Sequence, residues 1–150
     1  DGVCARLIHK LGSICNNMSD STAPSDHKEG HASKLLHIWV DEIKRGDPKR
    51  VAGLYHDDGI LLGTFSNKER VGYELILEYF ENLLKSPVDV EIVSEHPYDT
   101  GISVGNSGHY NFLTNGKTIN SRFSFVWTPL NERLSPWLIL SHHSSVMPET

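Results

Sequence analysis

Residues 75–95, LILEYFENLLKSPVDVEIVSE, decide the fold class, because the apolar period changes inside them. In the first half, Leu75, Ile76, Tyr79, Phe80, Leu83 and Leu84 recur at helical spacing and form one apolar face. Ser86-Pro87 ends that pattern, since the residue before a proline is pushed out of the helical region. From Val88 the period falls to about two, the alternation of a strand. Residues 88–95, 101–113, 118–127 and 137–146 read as strands, with Asn115-Gly116 and residues 131–136 as hairpin connections.

Upstream, Leu35, Leu36, Trp39, Val40 and Ile43 predict a helix closed by Gly46. Asp47-Pro48 supplies an N-cap and a first-turn proline for a short second helix over Val51, Leu54 and Tyr55. Residues 59–63, GILLG, predict a strand, and Ser66-Asn-Lys-Glu69 predicts a capping box opening the third, long helix. The order α-α-β-α-β-β-β-β, with helices on one side of the sheet, is α+β. A curved antiparallel sheet wrapped around three helices makes a cone-shaped barrel, and small-molecule sites favour the mouths of such cones.

The ends of the chain read differently. Val3, Leu7, Ile8 and Leu11 fit a short helix, whereas residues 14–33 are polar and low in apolar content, as in a linker. The division is therefore 1–31, helix and linker, and 32–150, the folded domain. The chain begins at Asp1 without a leader pattern, which reads as a mature form or one module of a longer polypeptide. Cys4 and Cys15 read as free thiols.

Composition excludes several classes. With 14 Lys+Arg against 19 Asp+Glu, a net charge of −5 and no basic run, nucleic acid is not the expected partner. A membrane is not expected either, the longest apolar run being Trp137 to Leu140 against the roughly 20 residues a spanning helix needs. There are nine histidines, yet no H-E-x-x-H or C-x-x-C spacing occurs, and adjacent His142 and His143 point to opposite faces of a strand. No metal and no cofactor are expected.

The last strand concentrates chemistry: Trp-Leu-Ile-Leu-Ser-His-His-Ser-Ser-Val over 137–146. Alternation puts Leu138, Leu140, His142 and Ser144 on one face, and Trp137, Ile139, Ser141, His143 and Ser145 on the other. Taking the leucines as inward selects His142 and Ser144 for the pocket, with His143/Ser145 the alternative pair. Thr64, at the end of the GILLG strand, offers a hydroxyl near the cone mouth, and Tyr79 is a phenol on a buried helix face.

The stretch Leu-Leu-Gly-Thr-Phe-Ser-Asn67, the helix with Glu78-Tyr-Phe80 and the terminal Ser-His-His-Ser-Ser-Val-Met-Pro-Glu149 resemble the nuclear-transport-factor-2-like superfamily. The branch is that of the calmodulin-dependent kinase II association domain, and within it the iota-class carbonic anhydrases of algae and bacteria. The resemblance covers residues 32–149 and implies a homodimeric cone that interconverts CO2 and bicarbonate without a metal ion. It implies catalytic roles for Thr64, Tyr79, His142 and Ser144, and substrate contacts from Thr64, Tyr79, Ser144, His143 and Ser145. Algal relatives lie in plastids, bacterial ones in periplasm or cytoplasm. Gly63 departs from the proline often found there in relatives.

In this scheme Thr64, Tyr79 and Ser144 donate to developing bicarbonate oxygens while His142 polarises water or carries its proton. The rival is a non-enzymatic association or ligand-binding module, with Trp137, Ile139, Phe123, Phe125 and Trp127 as an apolar outer sheet face. An isomerase acting beside a carbonyl ranks last, for want of an inward Asp or Glu base.

Overall fold

The computed structural model describes residues 24–131 and 136–149, with side chains from His31 onward. The expected helix over residues 3–11 and both cysteines lie outside the described residues. Helix α1 (Pro24–Arg45) is followed by α2 (Pro48–Ala52), β1 (Tyr55–Leu62), β2 (Glu69–Val71), α3 (Tyr73–Leu83), β3 (Val88–Asp99), β4 (Val104–Thr114), β5 (Lys117–Pro129) and β6 (Trp137–Val146). The strands form one curved six-stranded sheet in the order β2-β1-β6-β5-β4-β3.

Three expectations change here. The sheet is mixed rather than antiparallel, because β1 runs parallel to β6, and β2 and β3 leave it with two free edges, so it curves without closing into a barrel. Residues 66–69 do not cap a helix. Ser66 Oγ instead accepts the Lys68 N–H at 3.2 Å in a local turn, Glu69–Val71 pairs with β1, and the helix starts at Tyr73. Finally, α1 begins at Pro24, so the segment read as linker is helical from there on.

The short second helix ends at Ala52, so Leu54 lies outside it and Tyr55, read as helical, opens β1, whereas the readings at the turns hold. The α1 helix ends where Gly46 caps it, and Asp47 caps α2 through its carboxylate on the Lys49 N–H at 3.0 Å. The β4–β5 turn has Asn115 at φ 52° and Gly116 at φ 72°, the positive pair that a two-residue hairpin with native twist requires.

The core lies between α1 and α3 on one side and the inner sheet face on the other. Ala32, Leu36, Trp39 and Ile43 line one stripe of α1, and Ile76, Tyr79 and Phe80 face inward from α3. Opposite them, Tyr110, Phe112, Phe123, Phe125 and Trp127 are all buried, with Phe125 and Trp127 stacked at 5.0 Å. This corrects the expectation of an apolar outer face: Phe123, Phe125, Trp127 and Ile139 point at the helices, and Trp137 is half-buried against the core. The alternate residues, Arg122, Ser124 and His143, give the outer face a polar character, and Ser107 and Ser124 hydrogen-bond across it at 2.8 Å.

Parity on β6 is set by a bulge. Ser141 pairs with Val126 and Ile139 with Trp127, so Leu140 has no partner on β5. The extra residue reverses the alternation within the strand. Ile139 is fully buried and Leu140 is 37% exposed, opposite to the parity expectation, yet His142 and Ser144 still face inward.

A buried carboxylate ties α1 to α2. Glu42 accepts from Arg50 through Nε and Nη2, both at 2.8 Å, and from Arg45 Nη1 at 3.1 Å. The Arg50 hydrogen bonds, outweighing burial, hold its carboxyl below the usual range. Because the folded pKa is depressed, this stability is present above the ordinary carboxylate pKa and is lost as pH falls through the folded value. Glu42→Gln should cost about 1–2 kcal/mol at pH 7 by urea titration, and less at pH 3.

Candidate active site

The site grows from β6. Beyond the bulge, His142 is 2% exposed and lies flat on Phe125 at 3.8 Å between ring centroids, with the Trp39 ring edge-on at 5.2 Å. Such a place accepts an imidazole only if both nitrogens find partners. Tyr55 from β1 places its hydroxyl 2.8 Å from His142 Nδ1, and Tyr110 from β4 places its hydroxyl 3.2 Å from Nε2. Burial, with His143 adding to it, lowers the His142 pKa to about 3, so the ring is neutral at physiological pH.

The chain continues on both sides. Trp39 Nε1 donates to the Tyr55 hydroxyl at 3.2 Å. The Tyr110 hydroxyl donates to Ser144 Oγ at 2.5 Å, and Ser144 Oγ is hydrogen-bonded in turn to Thr64 Oγ1. Burial pushes both tyrosines above their ordinary range, so they act as neutral phenols. Six side chains from α1, β1, the β1–β2 loop, β4 and β6 thus form one line from the core to a cleft. That cleft, about 290 Å³, is lined by Thr64, Ser144, Ser66, Lys68 and His143.

The expected residues are therefore only partly gathered. Thr64, Ser144 and His142 are linked, with Thr64 and Ser144 at the cleft and His142 behind them. Tyr79 lines a second, larger cavity of about 550 Å³ with Phe65, Ser66, Arg70, Lys117 and Ile119. Its hydroxyl accepts the Phe65 N–H, and burial pushes its pKa up to about 12. His143 is exposed and Ser145 half-buried; both reach the cleft rim and a shallow depression on the outer face beside Arg122 and Ser124.

Gly63 lines the smaller cleft with the Tyr79 ring directly behind it. A Cβ there would lie 2.4 Å from Tyr79 Cε2, so this chain fills with a phenol ring the room a larger residue would need. Arg70, 6% exposed, lies 5.7 Å from the centroid of that ring and binds the Leu75 carbonyl and Glu78, each at 3.1 Å.

Sequence reasoning missed Tyr55, Tyr110 and Trp39. One signal was available: Tyr110 shares the alternation of Phe112, and a buried phenol beside a buried imidazole needs a partner. Tyr55 carried none, because it read as the end of α2. Among the described residues, no three His, Cys, Asp or Glu side chains converge as a metal site, and no helix is long and apolar enough to cross a membrane.

Comparison with solved structures places this architecture. A Xanthomonas campestris chain provisionally assigned as a calcium/calmodulin-dependent protein kinase II association domain is 34% identical, with a TM-score of 0.73 over 80% of this chain and 88% of its own. The chain belongs to the family of that association-domain protein, and its fold is nuclear-transport-factor-2-like. An NTF2-like protein of unknown function from Pseudomonas putida shares the fold at 13% identity and TM-score 0.73, covering 84% of this chain and 91% of its own. A Parabacteroides distasonis protein provisionally assigned as a ketosteroid isomerase does so at 16% and 0.64, covering 76% and 83%. No family model and no curated protein sequence matches the chain. The NTF2-like fold thus serves enzymes and proteins of unassigned role alike.

Two predictions follow from the packing. The folded pKa of His142 lies below the unfolded value, so its contribution to stability is full above about pH 6.5 and is lost as pH falls toward 3. Urea denaturation between pH 6.5 and 4.5 should show that slope in the native chain and a flatter one in His142→Phe. Gly63→Ala should destabilise by about 1–3 kcal/mol, and the cost should shrink in the Tyr79→Ala background, measured as a double-mutant cycle.

Proposed function

We propose that this NTF2-like protein interconverts CO2 and bicarbonate in the cleft at Thr64 and Ser144, as the iota-class carbonic anhydrases its sequence resembles do. One observation carries the reading: two hydroxyls on different elements, Thr64 Oγ1 and Ser144 Oγ, are hydrogen-bonded to each other at the wall of a cleft of about 290 Å³, with a buried polar chain behind them. Hydration needs donors at the oxygens where charge develops, held in place before the reaction. Ser144 is fixed by Tyr110, and Thr64 by Ser144.

Water adds to the carbon of CO2, its oxygen forms the new C–O bond, and one proton leaves, giving bicarbonate. The oxygen that gains charge lies against Thr64. The proton leaves by the cleft rim, where His143 stands exposed. His142, flat on Phe125 and paired at both nitrogens, keeps the hydroxyls in register instead of taking the proton. Tyr79 shapes the wall between cleft and larger cavity through Gly63 and Phe65.

Stopped-flow CO2 hydration, before and after chelation and with metal content measured on the same sample, tests this. Activity should survive chelation, fall at least tenfold in Thr64→Ala and recover in Thr64→Ser. Activity abolished by chelation and restored by one ion, or absent in both states, would defeat the metal-free reading. A second reading, a ligand-binding or homodimeric association module, is favoured by the larger cavity: about 550 Å³, with the cations Arg70 and Lys117, apolar Phe65, Leu83 and Ile119, and no acid among its lining. An inactive protein that takes up small aromatic carboxylates there, lost on Lys117→Ala, would favour it.

A further inference from the structure

The hydrogen-bond line has a direction, and its buried end sets it. We propose that Trp39 and Tyr55 are positioning residues that orient the line, so that Thr64 offers a hydrogen to the cleft and the occupant is a hydrogen-bond acceptor of the carbonate or carboxylate class. The inference rests on the reading of Thr64 as the group that meets substrate, and not on CO2 hydration itself.

The accounting starts at the one group that cannot accept. Indole Nε1–H only donates. Trp39 therefore gives its hydrogen to the Tyr55 oxygen, and the Tyr55 hydrogen goes to His142 Nδ1. A neutral imidazole that accepts at Nδ1 carries its hydrogen on Nε2 and gives it to the Tyr110 oxygen. The Tyr110 hydrogen goes to Ser144 Oγ. Ser144, 5% exposed, then gives its own hydrogen to the acceptor next in the line, Thr64 Oγ1. The Thr64 hydrogen is the one left over, and Thr64 is half-buried at the cleft wall. With the hydrogen on His142 Nδ1 instead, the Tyr55 hydroxyl would face a donor on both sides and its own hydrogen would be left unpaired, which costs more than the bond itself.

The consequence for chemistry is specific. Trp39 is 1% and Tyr55 4% exposed, so the line is closed at its inner end and has no outlet there for a proton. It works as a fixed row of dipoles aimed at the cleft, suited to hold an oxygen that carries negative charge. An occupant that itself only donates meets the wrong pole.

The test reads the tautomer directly. Two-bond 1H–15N correlations on 15N-labelled protein should show His142 as the neutral Nε2–H form. Nitrate, a planar acceptor of bicarbonate's shape, should shift the Thr64 and Ser144 amides, and its affinity should fall about tenfold in Tyr55→Phe and Trp39→Phe, with His142 becoming a tautomer mixture. An Nδ1–H or doubly protonated His142 in the native chain overturns the proposal, as does unchanged nitrate affinity in Tyr55→Phe when the tautomer has changed. Tyr55→Phe keeps the ring and decides alone if Trp39→Phe does not fold. Locked tautomer and nitrate binding without CO2 hydration support the orientation while removing the anhydrase reading.

Discussion

A neutral imidazole buried against Phe125 is the constraint on which the centre of this molecule depends. Its stacking face is apolar, yet its two nitrogens must each be paired, and the pairs come from strands on either side of β6: Tyr55 on β1 and Tyr110 on β4. An unpaired buried nitrogen would cost as much as several methylenes of core packing contribute. The imidazole therefore specifies neighbours in a way that an apolar side chain of the same size would not. Trp39 extends that specification to α1, so helix and sheet are registered by a polar contact as well as by packing.

That arrangement depends on two departures from a regular antiparallel meander. The parallel pairing of β1 with β6 brings Tyr55 and Thr64, both from the first part of the domain, beside the last strand. The bulge at Leu140 then allows Ile139 to fill the core while His142 and Ser144, further along, face inward too. Without the bulge, the burial of Ile139 would turn His142 outward. Sheet irregularity is here the device that lets one strand serve core and site together.

The aromatic inner face explains why the polar line can exist. Tyr110, Phe112, Phe123, Phe125 and Trp127 cover it, and the low polarity they create keeps His142 neutral and both tyrosines protonated. Hydrogen bonds between neutral groups are stronger there than in water, and misdirected ones are costlier. Where the line reaches Thr64 the wall opens, and chemistry with a small polar molecule becomes feasible.

The local readings that the sequence supported were those ruled by neighbours in the chain. The change of period at Ser86-Pro87, the Gly46 stop, the Asp47-Pro48 start, the Asn115-Gly116 turn and the extent of β6 are all properties of a few adjacent residues. Thr64, Ser144 and His142 were legible as a group through resemblance, and α+β through the order of the elements. The rest needed the third dimension. The brief β2 pairing replaced a capping pattern because Glu69–Val71 could complete the β1 edge. The face of Phe123, Phe125 and Trp127 was decided by which side the helices cover, since alternation alone does not say which side is inside. Tyr55 and Tyr110 joined the site only through strands that meet far apart in sequence. Sequence by itself determined most of the elements, though not β2 or the start of α1, and the chemical types available, because propensity and period are local. Tertiary structure decided their partners and the direction of their hydrogen bonds, because a buried donor is satisfied only by what the fold brings within about 3 Å of it.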